Sequence, residues 1–86
     1  MGKYKILIKP AAVKEIEAIS LKKVRQRIVQ RISELAQNPH PPGSEKLSGQ
    51  DKYRLRQGPF RILYAIKEQE LVVTVVKVGH RKEVYR

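Results

Sequence analysis

None of the 86 residues is a cysteine, so neither a disulfide nor a thiolate metal ligand can reinforce the fold, and a reducing intracellular compartment suits the chain. Histidine is nearly as scarce: His40 and His80 are the only two, too few for the usual zinc sets. No apolar run approaches the roughly 20 residues that cross a membrane, and the N-terminus carries no apolar block of the signal-peptide kind. Met1-Gly2 opens a myristoylation pattern, but Ile6 stands where Ser or Thr is required. A Gly-rich phosphate loop, a nucleophilic triad and carboxylates spaced for paired acid–base work are missing as well. The chain reads as one small cytoplasmic domain over 1–86, near the size at which a single core just sustains a fold, and that core has to be aliphatic.

Acid is the other shortage. Eight Asp and Glu stand against nineteen Lys and Arg, a formal charge of +11. Such a field draws polyanions, by counterion release if the partner is a nucleic acid, and it opposes self-association, so a monomer is expected for the free protein. A basic surface that only keeps the chain soluble, or that docks an acidic protein, is the competing reading.

Of what is present, residues 3–8 read as a strand that Pro10 ends. Val13, Ile16 and Ile19, then Val24, Ile28, Ile32 and Leu35, recur at spacings of three and four, which predicts helices over about 11–19 and 21–37 with Ser20 as the N-cap of the second. The polar side of that second helix carries Lys22, Lys23, Arg25, Arg27 and Arg31, a row that suits a phosphate backbone and equally a solvated face. Asn38-Pro39-His40-Pro41-Pro42-Gly43 cannot continue a helix and predicts a stiff connector. A short edge strand at 45–47 and a meander over 51–57, 60–67 and 70–78 complete the chain, with Glu68-Gln69 as the last turn. The run 71–76 is apolar on both faces, which places it inside the sheet. The expected fold is α+β: two N-terminal helices on one face of a small, mostly antiparallel sheet of four or five strands, the other face partly open.

That open face draws attention to residues 51–66. Strand alternation puts Lys52, Arg54 and Arg56 on one side and Tyr53 and Leu55 on the other. Beyond the turn signal Gly58-Pro59, Arg61, Leu63 and Ala65 share one side while Phe60, Ile62, Tyr64 and Ile66 share the opposite one. A hairpin of the two runs brings Arg61 near Arg54 or Arg56. Like charges so close repel, which an anion placed between them relieves. The bland readings are outward strand residues for Arg54 and Arg56, a structural pair with Glu83 or Asp51 for Arg61, a turn for His80 beside Gly79, and packing for Tyr85, Tyr4, Tyr53 and Tyr64.

A set of Arg and Lys beside one His and several Tyr is poorly suited to activating water, but it suits a substrate that brings its own nucleophile. RNA does so: its 2′-hydroxyl attacks the adjacent phosphate and expels the 5′-oxygen. The protein then has to hold the backbone, neutralise the charge of the transition state and move protons. Arg serves the first two tasks with a permanent charge and a two-pronged fork. Proton transfer falls to His80, Tyr85, Lys52 or Glu83, of which His80 has the reference pKa nearest neutrality.

The pieces Tyr4-Lys5-Ile6, the two-helix segment, Asn38-Pro39 with Pro42-Gly43, Lys46-Leu47-Ser48-Gly49, Tyr53-Arg54-Leu55-Arg56, Gly58-Pro59-Phe60-Arg61-Ile62-Leu63-Tyr64 and Val78-Gly79-His80-Arg81-Lys82-Glu83-Val84-Tyr85 occur in this order over nearly the whole chain. In this the sequence resembles the RelE/ParE superfamily of type II toxin-antitoxin toxins, and within it the RelE branch of ribosome-dependent mRNA interferases. The resemblance implies a microbial-ribonuclease-like fold, cleavage of mRNA in the ribosomal A site without metal or other cofactor, and neutralisation by a RelB-like antitoxin, acidic or amphipathic, in a hetero-oligomer. By matching positions, Arg54, Arg56, Arg61 and Arg81 bind and stabilise the scissile phosphate, and Tyr85 orients the nucleotide or transfers a proton. Some members have Lys at the positions of Arg54 and Arg56, one of them with a base role; Arg here leaves that role to His80, Tyr85 or Lys52. Together with the charge pattern this assigns catalysis to Arg61, Arg81, Tyr85, Arg54 and His80, and RNA contacts to Arg56, Lys52, Lys82, Lys22, Lys23 and Arg25. The sequence stops at Arg86 without the C-terminal helix some relatives carry, so the resemblance does not extend to a lid or antitoxin contact made by that helix. A ParE-like inhibitor of DNA gyrase and a non-catalytic basic binding module are the rival functions.

Overall fold

Pro10 decides where the first strand stops. In the computed structural model, which describes residues 3–47 and 51–80, β1 (Lys5–Ile8) turns Ile6 and Ile8 inward, and Pro10 opens α1 (Pro10–Glu17) in its first turn. A ring with no N–H and a fixed φ fits that position, because the first helical N–H groups have no partner anyway. Ala12 and Ile16, one turn apart, are the buried pair of α1. Val13, counted above in the apolar stripe, is 37% exposed; the helix presents Ala12 at that position, four residues before Ile16.

The second helix, α2 (Lys22–Glu34), starts after Leu21, and no side chain caps it. The expected Ser20 cap is thus a correction. The junction is tied instead by Arg25, whose Nη1 donates to the Ile19 carbonyl at 2.6 Å and, more weakly, to that of Ser20 at 3.4 Å. Both carbonyls lie in the link between the helices, beyond the last turn of α1. Arg25→Ala is expected to cost about 1–2 kcal/mol of stability, read as a lower chemical-denaturation midpoint. At its far end α2 tightens: Leu35, Ala36 and Gln37 donate to Ile32, Ser33 and Glu34, three residues back. This accounts for a helical pattern that runs to 37 while the α-helix ends at Glu34.

The connector is stiff for the expected reason and is also anchored. Asn38 Oδ1 accepts the His40 N–H at 3.0 Å, and the Tyr64 hydroxyl donates to the Pro39 carbonyl at 2.7 Å from inside the core. Burial raises the Tyr64 pKa above the ordinary phenol value of 10.0. The unfolded chain therefore ionises first, so this hydroxyl's contribution is intact below pH 10 and declines as pH rises through the raised folded value. Tyr64→Phe is expected to lose about 1–2 kcal/mol near neutrality, because it strands a buried carbonyl, and to flatten the alkaline decline; denaturation at pH 7 and pH 11 checks both.

From Gly43, at φ 91°, the chain enters β2 (Ser44–Lys46), then β3 (Lys52–Gln57), β4 (Phe60–Lys67) and β5 (Val72–His80). The turn into β5 is longer than Glu68-Gln69: Leu71 donates to the Glu68 carbonyl at 3.3 Å and sits at φ 55°, so the strand begins at Val72 rather than 70 and runs on to His80. The five strands form one sheet in the order β1-β5-β4-β3-β2, antiparallel except for the parallel pair β1–β5. Both helices lie on one face. Ala12, Ile16, Ile28, Ile32 and Leu35 meet Leu55, Ile62, Tyr64, Ile66, Val73, Val75 and Val78 in a single aliphatic core. Tyr53 stacks on Tyr64 at 5.7 Å, and Tyr4, which packs at the core's margin, donates to Glu68 at 2.8 Å; that bond raises the Tyr4 pKa. No helix among the described residues is long and apolar enough to cross a membrane.

Candidate nucleic-acid interface

With the helices on one side, the faces of β3 and β4 that carry the arginines turn away from the core. The two strands are joined by Gly58-Pro59, with Gln57 opposite Phe60 and Gly58 at φ 57°. A two-residue turn with a left-handed first position follows the natural twist of a hairpin. It sets the register: Arg56 falls directly opposite Arg61, Arg54 opposite Leu63, and Lys52 opposite Ala65. Opposed residues share a face, with Cβ atoms about 4.5–5.5 Å apart. Lys52, Arg54 and Arg56 therefore form a row at intervals of roughly 6.6 Å along β3, with Arg61 closing its Arg56 end.

The members of this row differ in environment. Arg56 and Lys52 are exposed. The Arg54 guanidinium lies 3.3 Å from the Glu45 carboxylate, on the neighbouring strand β2, so its charge is partly met within the protein. Arg61, expected among the exposed residues, is 2% exposed, the one buried charged side chain among the described residues. It starts from an interior strand flanked by β3 and β5, opposite Arg56 on one side and Gly79 on the other. Its Nη1 lies 3.4 Å from its neighbour's carbonyl, that of Phe60. A permanent charge at such depth interacts more strongly with any charge placed beside it, because little water screens it.

His80 leaves the sheet on the other side. It pairs with Phe60, one residue before Arg61, and its ring meets the Phe60 ring edge-on at 5.8 Å. It lines a cavity of about 420 Å³ with Ile19, Leu21 and Val24 of the helical layer. The structure thus brings together Lys52, Arg54, Arg56 and Arg61 and does not bring His80 onto their face. Lys22, Lys23 and Arg25 sit on α2, in the layer across the sheet, and Arg25 is occupied at the helix junction. Arg81, Lys82 and Tyr85, with Glu83, lie outside the described residues. Sequence reasoning missed Glu45, whose link to Arg54 follows only once β2 is paired with β3. It also missed Glu15 of α1, which reaches Lys77 at 2.7 Å and the Val78 N–H at 2.9 Å, a connection across more than sixty positions that no local pattern announces.

Two helices backing a five-stranded sheet whose other face, which carries no helix among the described residues, bears the arginines define a small basic α+β protein of RelE-like build. Residues 6–85 match the family model described as the ParE toxin of the type II toxin-antitoxin system parDE, and the chain belongs to this RelE/ParE superfamily of toxins. A RelE-like toxin protein of Escherichia coli is 28% identical over 82 residues, covering 93% of this chain and 85% of that protein. Among solved structures, RelE in the archaeal RelE–RelB complex from Pyrococcus horikoshii matches with a TM-score of 0.83 at 26% identity, covering 92% of this chain and 96% of that one. The isolated E. coli RelE toxin matches with a TM-score of 0.76 at 28% identity, covering 95% and 90%.

Proposed function

We propose that this toxin is a ribosome-dependent mRNA endonuclease that cuts in the A site by attack of the substrate's own 2′-hydroxyl, and so arrests translation. The observation that carries the reading is the direct opposition of Arg56 and Arg61 on the helix-free face, with Arg54 and Lys52 in line. The three cations in a row on β3 suit a run of backbone phosphates. A buried guanidinium at the end of that row suits the charge that develops on a phosphorane-like transition state, because its dipoles and charge need no reorganisation when the reaction occurs. The 2′-oxygen forms the new bond to phosphorus and the 5′-oxygen leaves. The proton passes from the one to the other through groups of which Lys52 shares the face and Tyr85 is assigned by resemblance. Because His80 leaves β5 on the helix side, it is set apart from this pair. The partner that silences the toxin is an antitoxin with an acidic or amphipathic segment, suited to a surface of charge +11, as RelB accompanies RelE in the P. horikoshii complex.

The test is primer extension on a defined mRNA in a purified translation system, with ribosomes and with naked RNA, beside a gyrase supercoiling assay. New 5′ ends that appear only with ribosomes, in step with the A site, are expected. The family description names a ParE toxin, which favours gyrase as the second reading; intact mRNA with inhibited supercoiling would select it.

A further inference from the structure

The outer edge of β5 changes neighbour halfway along. Its first half, Val72–Val75, is covered by β1, which ends at Ile8 opposite Val75. Beyond that point the chain of β1 has turned away into α1, so residues 76–80 have no strand on that side among the described residues. The register also shifts between Leu63 and Tyr64, leaving Val76 as an extra residue, and a bulge of this kind loosens and bends a strand. The segment that follows, Val78-Gly79-His80, is the one that flanks Arg61 and leads into 81–85. Something has to fix its position.

We propose that Glu15 is a positioning residue for the arginine face: its carboxylate takes the place of the missing sheet neighbour and holds the Gly79 end of β5 in register with Arg61. One oxygen, Oε1, accepts the Val78 N–H at 2.9 Å, and the other, Oε2, accepts from the Lys77 ammonium at 2.7 Å. Because the Val78 N–H points out of the edge, the alternation of an antiparallel ladder turns that of Gly79 towards β4, where Gly79 faces Arg61. Glu15 thus acts at one remove. It sets the backbone beside Arg61 rather than touching the site, and it joins the α1 layer to the strand that carries the site's second edge. The lysine neutralises the carboxylate and fixes its orientation, and the pair is only partly exposed, with side chains at 39% and 30%, so the bond is better shielded than a surface pair.

The catalytic part of this inference rests on the ribonuclease reading, and two measurements keep the two apart. Amide hydrogen exchange on the full chain is expected to rise at Val78 roughly tenfold to a hundredfold in Glu15→Ala, the loss of a charge-assisted hydrogen bond, while β3 amides keep their protection. In the translating system, Glu15→Ala is expected to lower the cleavage rate at saturating ribosome concentration about ten- to a hundredfold, the scale of a small misplacement, with the half-saturating concentration unchanged. Glu15→Gln retains an oxygen for the Val78 N–H but turns an NH2 group towards the Lys77 ammonium, so it is expected to restore both in part. Unchanged exchange at Val78, protection lost equally in every strand, or a rise in the half-saturating concentration alone would overturn the proposal. A wild-type protein that cuts no mRNA would refute the ribonuclease reading, and the exchange measurement would still decide the anchoring.

Discussion

Arg61→Ala is expected to lower ribosome-dependent cleavage by at least about a hundredfold, the scale seen when one preorganised donor to a developing oxyanion is removed. The expectation follows from where this guanidinium sits. At 2% exposure it is shielded from water, and it stands opposite Arg56, so a phosphate held at the end of the row meets two cations at once. Removing Arg56 instead should have a smaller effect on the maximal rate and a larger one on salt dependence, because an exposed cation acts mainly through screened attraction. Arg61→Lys separates charge from shape: it retains the former and loses the two-pronged fork, so an intermediate rate is expected. The measurement is the appearance of new 5′ ends over time, with circular dichroism melting of each variant as the control for folding. Cleavage at the wild-type rate by folded Arg61→Ala would remove the arginine pair from the mechanism.

The second large effect concerns the residue between Arg54 and Arg56. Leu55 points to the opposite face of β3 and is completely buried among the core residues. Leu55→Ala is expected to cost about 2–5 kcal/mol, the transfer free energy of the lost methyl groups together with that of the cavity they leave. For a domain of this length the total stability is on the order of 4–13 kcal/mol, so the loss is a large share of it. A melting temperature lower by roughly 10–25 °C is the expected reading. The same alternation that aims two arginines at the open face aims Leu55 at the helices, so the cationic row and its support are successive residues of one strand. At a temperature where Leu55→Ala is still folded, its cleavage rate should stay close to that of the wild type, whereas Arg61→Ala should be inactive and well folded.

Much of this site was readable before any coordinates. Lys52, Arg54 and Arg56 alternate with Tyr53 and Leu55, and alternation in a strand with one buried face leaves a single choice of side. Gly58-Pro59 is a turn signal of two residues that brings Arg61 near Arg54 or Arg56, and the observed pairing of Gln57 with Phe60 selects Arg56. The helical stripe Ile16, Ile28, Ile32 and Leu35 named most of the core's helical half for the same periodic reason. Where local pattern failed, a partner distant in sequence decided the outcome. Ser20 reads as a cap, but the guanidinium of Arg25 claims the junction. Val13 fits the stripe, but the sheet receives Ala12. Leu71 reads as a strand residue and instead takes the left-handed corner of the turn.

The sequence by itself determined the fold class, the two faces of the β3–β4 hairpin and the cationic character of one of them, because these depend on periodicity, on turn chemistry and on net charge, all of which are properties of neighbouring residues. Tertiary structure alone decided that β1 lies parallel to β5, that Glu45 meets Arg54, that His80 leaves the sheet on the helix side, that Arg61 is buried and that Glu15 meets the Val78 N–H. Each of these depends on which strand adjoins which, and strand order is a long-range choice made by burial of the whole aliphatic core rather than by any segment's own preference.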